Sequence, residues 1–240
     1  MTRVVVVGSF NVDHVWRCDA LPAPGATLAG DYSTGPGGKG FNQAMAARRA
    51  GAETGFVCAL GSDAGGQLAR ALAAADVIDL RDEASDAPTG TAGIFVVSDG
   101  RNSIVIGPGA NATLTVAHLE AQGDAIRDAR VVLVQLESPI EVVSTSLGLA
   151  REAGIASVLN TAPAHATTTR DLLASADVLT PNESEFAALI ARHTAMAIPA
   201  SAVATAGDDA LHVLCRTLHP SGTVVITLGA MGSFVSHADA

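Results

Sequence analysis

Short apolar runs recur along the chain, separated by amphipathic, alanine-rich stretches. Residues 3–7 carry four consecutive valines, the pattern of a strand buried on both faces. Runs at 55–60, 77–80, 131–136, 155–159, 178–180 and 223–228 predict further strands. Between them, 64–75, 139–151, 169–174, 182–192 and 208–218 predict helices, and Thr113 or Thr115 can cap another that runs to about residue 129. Strands alternating with helices at this spacing predict an α/β fold with a mostly parallel central sheet and helices on both faces. Residues 194–206 are alanine-rich and fit no single element. No repeat or linker divides the chain, so 1–240 reads as one α/β domain.

Two segments break the alternation. Residues 12–18 and 27–34 flank the turn-forming cluster Leu21-Pro22-Ala23-Pro24-Gly25 and read as two strands of an excursion. Residues 91–97 and 102–106 read as a hairpin joined through Asp99-Gly100. Trp16 and Tyr32, the only residues of their kinds, both lie in the first excursion. An ordinary hairpin accounts for it; its place between two polar segments favours a lid or a dimer surface.

The stretch Gly35-Pro36-Gly37-Gly38-Lys39-Gly40-Phe41-Asn42-Gln43-Ala44 is the most distinctive in the chain. Its glycines allow close backbone approach, and residues 44–50 read as a helix stopped by Gly51. A Gly-rich loop opening a helix presents free N–H groups to a polar or anionic ligand. Lys39 is the only lysine among 14 basic residues, a compact ammonium in a chain that otherwise uses arginine. Gly35-x-Gly37-x-x-Gly40 matches the dinucleotide fingerprint, but the nearest buried strand lies far upstream. A Walker loop needs Ser or Thr where Gly40 stands. A Gly-rich turn that merely caps a helix is the plain alternative.

The net charge of −10 argues against general binding to nucleic acid or anionic lipid. Cys18, Cys58 and Cys215 are scattered and lack metal-site spacing, which points to a reducing cytoplasm. No run approaches the length of a membrane span.

Polar residues at strand ends carry the functional signal. Asn11 and Asp13 are two apart and share a face if extended, where an amide and a carboxylate can bind neighbouring hydroxyls; an Asx-turn is the alternative. Asn11, Glu137, Asn160, Asn182 and Gly229 all fall just beyond predicted parallel strands, the edge where open α/β sheets bind ligands.

Five segments resemble the ribokinase branch of the PfkB family of carbohydrate kinases. They are Gly8-Ser9-Phe10-Asn11-Val12-Asp13-His14, Gly37-Gly38-Lys39-Gly40-Phe41-Asn42-Gln43-Ala44, Gln135-Leu136-Glu137-Ser138-Pro139, Thr180-Pro181-Asn182-Glu183-Ser184-Glu185 and Thr227-Leu228-Gly229. The resemblance implies a ribokinase-like α/β fold with a small β lid at about 12–34, joined by 91–106. It implies transfer of the ATP γ-phosphoryl group to the 5-hydroxyl of D-ribose, giving ribose 5-phosphate. Asn11, Asp13, Gly38, Lys39, Asn42 and Glu137 would hold the sugar. Asn182, Thr227, Gly229 and Gly232 would serve the nucleotide, and Glu185 would reach Mg²⁺ through water. A homodimer through the lid is implied, and a monovalent cation such as K⁺ in the complete protein.

The family's Asp-Thr-x-Gly-Ala-Gly-Asp signature, with its anion hole and base, is expected beyond Ala240, so no catalytic residue is assigned within the 240. Two rival readings stand beside the kinase. One is a non-catalytic sugar- or nucleotide-binding protein, and the other a dinucleotide-dependent oxidoreductase.

Overall fold

The computed structural model describes residues 3–164 and 167–239. Its main sheet has eight strands in the order β12-β11-β10-β9-β8-β1-β4-β5. These are β1 (Arg3–Val7), β4 (Glu53–Gly61), β5 (Asp79–Ser85), β8 (Val131–Val134), β9 (Ala156–Leu159), β10 (Val178–Leu179), β11 (Thr223–Thr227) and β12 (Ser233–Ser236). All pair in parallel except β12, which returns antiparallel to β11. The second sheet orders β3 (Asp31–Gly37), β2 (Asn11–Cys18), β6 (Gly90–Val97) and β7 (Asn102–Gly107) as β3-β2-β6-β7. The two excursions thus join into one small sheet, through a parallel pairing of β2 with β6.

The helices are α1 (Lys39–Arg49), α2 (Ala64–Ala75), α3 (Val116–Ala121), α4 (Gly123–Arg127), α5 (Ile140–Glu152), α6 (Arg170–Ala174), α7 (Glu183–His193), α8 (Ala200–Val203) and α9 (Asp208–Leu218). The valines of β1 show why a continuous apolar run is needed. Val5 and Val7 enter the larger core, with Val57, Leu147 and Phe186; Val6 enters the smaller one, with Phe10, Phe41 and Phe56. A strand covered on both faces has no polar side to show.

Several predicted bounds move. The strand predicted at 77–80 is shifted along the chain: Val77 is an exposed turn residue with φ 54°, and β5 starts at Asp79 and runs to Ser85. As an edge strand β5 is half-wet, and it is pinned by Arg3–Asp79 and Arg70–Asp82 ion pairs instead of apolar burial. Strand 27–34 begins only at Asp31, and 131–136 ends at Val134. Thr115 caps α3, but the helix breaks at Gln122 before α4. The ambiguous 194–206 holds the short α8.

Asp63 ties the small sheet to the main one. Its Oδ1 accepts from Gly66 N at 2.9 Å, capping α2, and from Thr89 Oγ1 at 2.6 Å; Oδ2 accepts from Thr89 N at 2.8 Å. The Thr89 hydroxyl bond leads in holding this carboxyl below its ordinary pKa. Asp63→Ala should cost about 2–3 kcal/mol at neutral pH, a cap plus charge-assisted bonds. A depressed folded-state pKa makes that stability present above the unfolded value and lost as pH falls through the folded one. Thermal melts of both proteins should therefore converge under acid conditions and differ most above them.

Candidate sugar and nucleotide sites

The helix after the Gly-rich loop decides what the loop does. It starts at Lys39, earlier than the apolar pattern predicts, because the loop lies directly on the backbone of residues 8–11. A Cβ on Gly40 would stand 2.5 Å from Ser9 N, and one on Gly38 would stand 2.8 Å from Asn11 N. Gly38 also has φ +88°, open to glycine at no steric cost.

The first N–H groups of a helix find no partner within it. Here those of Lys39, Gly40 and Phe41 find one outside. Lys39 N donates to Glu137 Oε2 at 2.9 Å, Gly40 N to Ser9 Oγ at 3.4 Å and Phe41 N to Ser9 O at 2.9 Å. Ser9 Oγ donates in turn to Glu137 Oε2 at 2.5 Å. The N–H groups of Lys39, Gly40 and Phe41 are therefore engaged within the protein and not held out to an anion, as the Gly-rich loop alone would suggest. A carboxylate of the protein already sits at the positive end of α1.

Around Glu137 the charges gather. Lys39 Nζ lies 3.6 Å from Glu137 Oε1. Asp13 stands near both. Burial raises its pKa most, and Glu137 raises it further, against the opposing charges of His14 and Lys39. A cavity of about 550 Å³ opens beside them, where Asn11, Asn111, Glu137, Ser138 and Thr167 stand among Ile106, Pro108, Leu136, Pro139 and Ile140. Of the six predicted sugar residues, Asn11 and Glu137 line this cavity. Asp13 and Lys39 adjoin it through Glu137, and Gly38 packs on the Asn11 backbone. Asn42 is exposed on α1 and belongs to the group only through that helix.

The nucleotide candidates form a second group at β10 and β11. Thr227 N donates to Pro181 O at 2.9 Å, and Asn182 and Thr227 form a parallel bridge. Gly229 (φ 53°) and Gly232 (φ 95°) shape the exposed turn from β11 to β12, with Glu183 Oε1 3.7 Å from where a Gly229 Cβ would be. Asn182 and Glu185 close on each other as the capping box of α7: Asn182 Oδ1 accepts from Glu185 N at 2.9 Å, while Glu185 Oε2 and Oε1 accept from Asn182 N and Nδ2 at 3.0 Å. Both Glu185 oxygens are thus engaged, and the side chain is buried. That suits contact with a metal through water and not direct ligation. Among the described residues no group of three or more His, Cys, Asp or Glu could hold a metal ion.

Sequence reading gave no role to Ser9 or Asn111, which the fold places at the site. Asn160, a predicted edge residue, donates to Thr180 O at 2.8 Å and braces β9 against β10. The Gly-x-Gly-x-x-Gly match begins inside β3, an antiparallel strand of the small sheet and not a buried parallel one, and the Lys39 and Gly40 N–H groups of its helix are taken. A pyrophosphate would meet Glu137 where the fingerprint needs donors, which removes the dinucleotide reading.

A model of the pfkB family carbohydrate kinases matches residues 1–240. The chain belongs to that family. It is 38% identical over 238 residues to the ribokinase of Haemophilus influenzae, covering 97% of this chain and 74% of that protein. It is 36% identical over 245 residues to the bifunctional ribokinase/ribose-5-phosphate isomerase A of Fructilactobacillus sanfranciscensis, spanning 43% of that protein's length and all of its own. The structure of Arabidopsis thaliana ribokinase complexed with ribose and ATP superposes with a TM-score of 0.77 at 30% identity, covering 100% of this chain and 76% of that one. The fold is ribokinase-like.

The raised pKa of Asp13 has a consequence for stability. Its ionised form weakens the fold above the folded-state pKa, and the penalty vanishes as pH falls below the unfolded value. Asp13→Asn should therefore stabilise the unliganded protein near neutral pH by about 0.5–1 kcal/mol, the scale of a partly exposed ionic interaction. Denaturation between pH 3 and 8 should show the gain disappear on acidification. Equal stability at neutral pH would mean that Glu137 and burial do not strain this carboxylate.

Proposed function

We propose that the cavity beside Glu137 binds D-ribose and that the β10–β11 edge binds ATP, for transfer of the γ-phosphoryl group to the sugar 5-hydroxyl. The observation that carries this is the Asn11–Asp13–Lys39–Glu137 cluster. Two carboxylates, one ammonium and one amide, with the N–H groups of Lys39, Gly40 and Phe41 already engaged, match the hydroxyls of a polyol better than an anion. The relatives named ribokinase, and the one solved with ribose and ATP, support the same assignment.

In this reading Asp13 and Glu137 accept from sugar hydroxyls. Lys39, held by Glu137, donates to the sugar, and Asn42 reaches it from the next turn of α1. Thr227, Gly229 and Gly232 border the nucleotide, and Asn182 faces its phosphates. Glu185 would hold Mg²⁺ through a water, and the ion would supply positive charge against the phosphates. Catalysis of this kind is mostly positioning. None of the 240 residues is assigned the proton-accepting role, and the K⁺ expectation attaches to no described residue.

The small sheet serves this reading as lid and dimer face. In its register Asp13, Ala92 and Ile106 stand opposite one another and share the cavity face. Trp16, Tyr32 and Phe95 share the other, where Trp16 stacks on Phe95 at 5.4 Å and meets Tyr32 at 5.2 Å. An exposed Tyr32 and Val105 on that outer face suit a second copy of the chain. The free thiols of Cys18, Cys58 and Cys215 suit a reducing cytoplasm, and no helix of the described residues is long and apolar enough to cross a membrane.

Calorimetry tests the assignment. Asp13→Ala should weaken ribose binding at least ~10-fold, the loss of a charge-assisted hydrogen bond, and leave ADP binding unchanged. NAD should not bind. Lys39→Arg should also weaken ribose, since a planar guanidinium cannot replace the ammonium against Glu137. Unchanged ribose affinity in Asp13→Ala would remove that residue from the site.

A further inference from the structure

The polarity of Asn11 is set by a residue far along the chain. Asn111 lies in a 3-10 turn (Gly109–Thr113) just after β7, and only 3% of it is exposed. Its Oδ1 accepts from Phe10 N at 2.9 Å. A backbone N–H can only donate, so this bond fixes which way the Asn111 amide points. Its Nδ2 then donates to Phe10 O at 3.0 Å and to Asn11 Oδ1 at 2.8 Å. Asn11 is left with its NH₂ group for the cavity that both residues line. Two positions further along β2, Asp13 offers acceptors only when ionised.

We propose that Asn111 is a positioning residue that locks the Asn11 amide, so that the substrate meets a donor at Asn11 and an acceptor at Asp13. This rests on the assignment of a sugar to the cavity, and it narrows the ligand to a vicinal diol. One hydroxyl accepts from Asn11 and its neighbour donates to Asp13. A flipped Asn11 amide would set two acceptors side by side. Gly90 is part of the device. A Cβ there would stand 2.2 Å from Asn111 Nδ2 and 2.3 Å from Asn11 Oδ1, so glycine leaves room for the bond between them.

Ribose and ADP dissociation constants measured by calorimetry on the wild-type chain, Asn111→Asp, Asn11→Ala and the double variant test this. Aspartate at 111 keeps the acceptor for Phe10 N and loses the donor to Asn11. Ribose binding should weaken about 10-fold in Asn111→Asp, the scale of one or two hydrogen bonds, with ADP binding unchanged. In the Asn11→Ala background the same substitution should have no further effect on ribose. An equal loss in that background overturns the proposal, because Asn111 would then act on the fold and not through Asn11. Gly90→Ala should reproduce the ribose defect, and wild-type affinity in that variant also overturns it. If the wild-type chain does not bind ribose, the sugar assignment fails separately, and side-chain amide exchange by NMR decides the polarity. Slower exchange of the Asn111 NH₂ protons than of those on Asn11 supports the lock; the reverse order overturns it.

Discussion

The Glu137 carboxylate is the contact on which the functional edge of the molecule depends. It leaves the loop after β8, accepts from the first N–H of α1 and from Ser9 Oγ, and faces the Lys39 ammonium. A carboxylate with a side chain only 10% exposed is costly without partners, and here it has them on several sides. Three stretches distant in sequence are brought to one point: the turn after β1, the start of α1 and the loop after β8. The glycines of the loop make this meeting possible by letting α1 rest on the backbone of residues 8–9, where any side chain would collide. Their service is to packing first and to ligand access second.

On the proposed assignment, that arrangement explains how an acidic protein can bind a neutral polyol and an anionic nucleotide without confusing them. The α1 terminus, ordinarily attractive to phosphate, is neutralised from within. On the same assignment the phosphate-bearing ligand is left to the strand ends on the far side of β9, where α7 begins. The two groups share one sheet edge because parallel strands all end there. The small sheet then covers one group and not the other, since β2 continues directly from the turn that carries Ser9 and Asn11.

The small sheet is two-sided for a simple reason. Period-two alternation puts Asn11 and Asp13 on one face and His14 and Trp16 in the other set. One short strand therefore contributes polar groups to the cavity edge and aromatic rings to an outer surface at once. The Gly90 gap and the Pro108–Asn111 turn fasten this sheet to the cavity through side-chain amides as well as apolar packing.

Local pattern alone settled much of this. The helices at 64–75 and 208–218, the two-sided burial of the β1 valines and the hairpin through Asp99-Gly100 were legible in the sequence, because burial period and turn chemistry are properties of neighbouring residues. Strand-end polar residues were legible too, since parallel topology sends them to one edge. Strand β5 was misplaced because an edge strand held by ion pairs lacks an apolar period, and β12 was missed because its pairing is a return onto β11. The roles of Ser9 and Asn111 could not be read at all. Ser9 meets Glu137 across 128 positions and Asn111 meets Phe10 across 101. Spacing reports which side of an element is buried. Which donor faces which acceptor across that distance depends on how the layers close, and only the tertiary structure decided it.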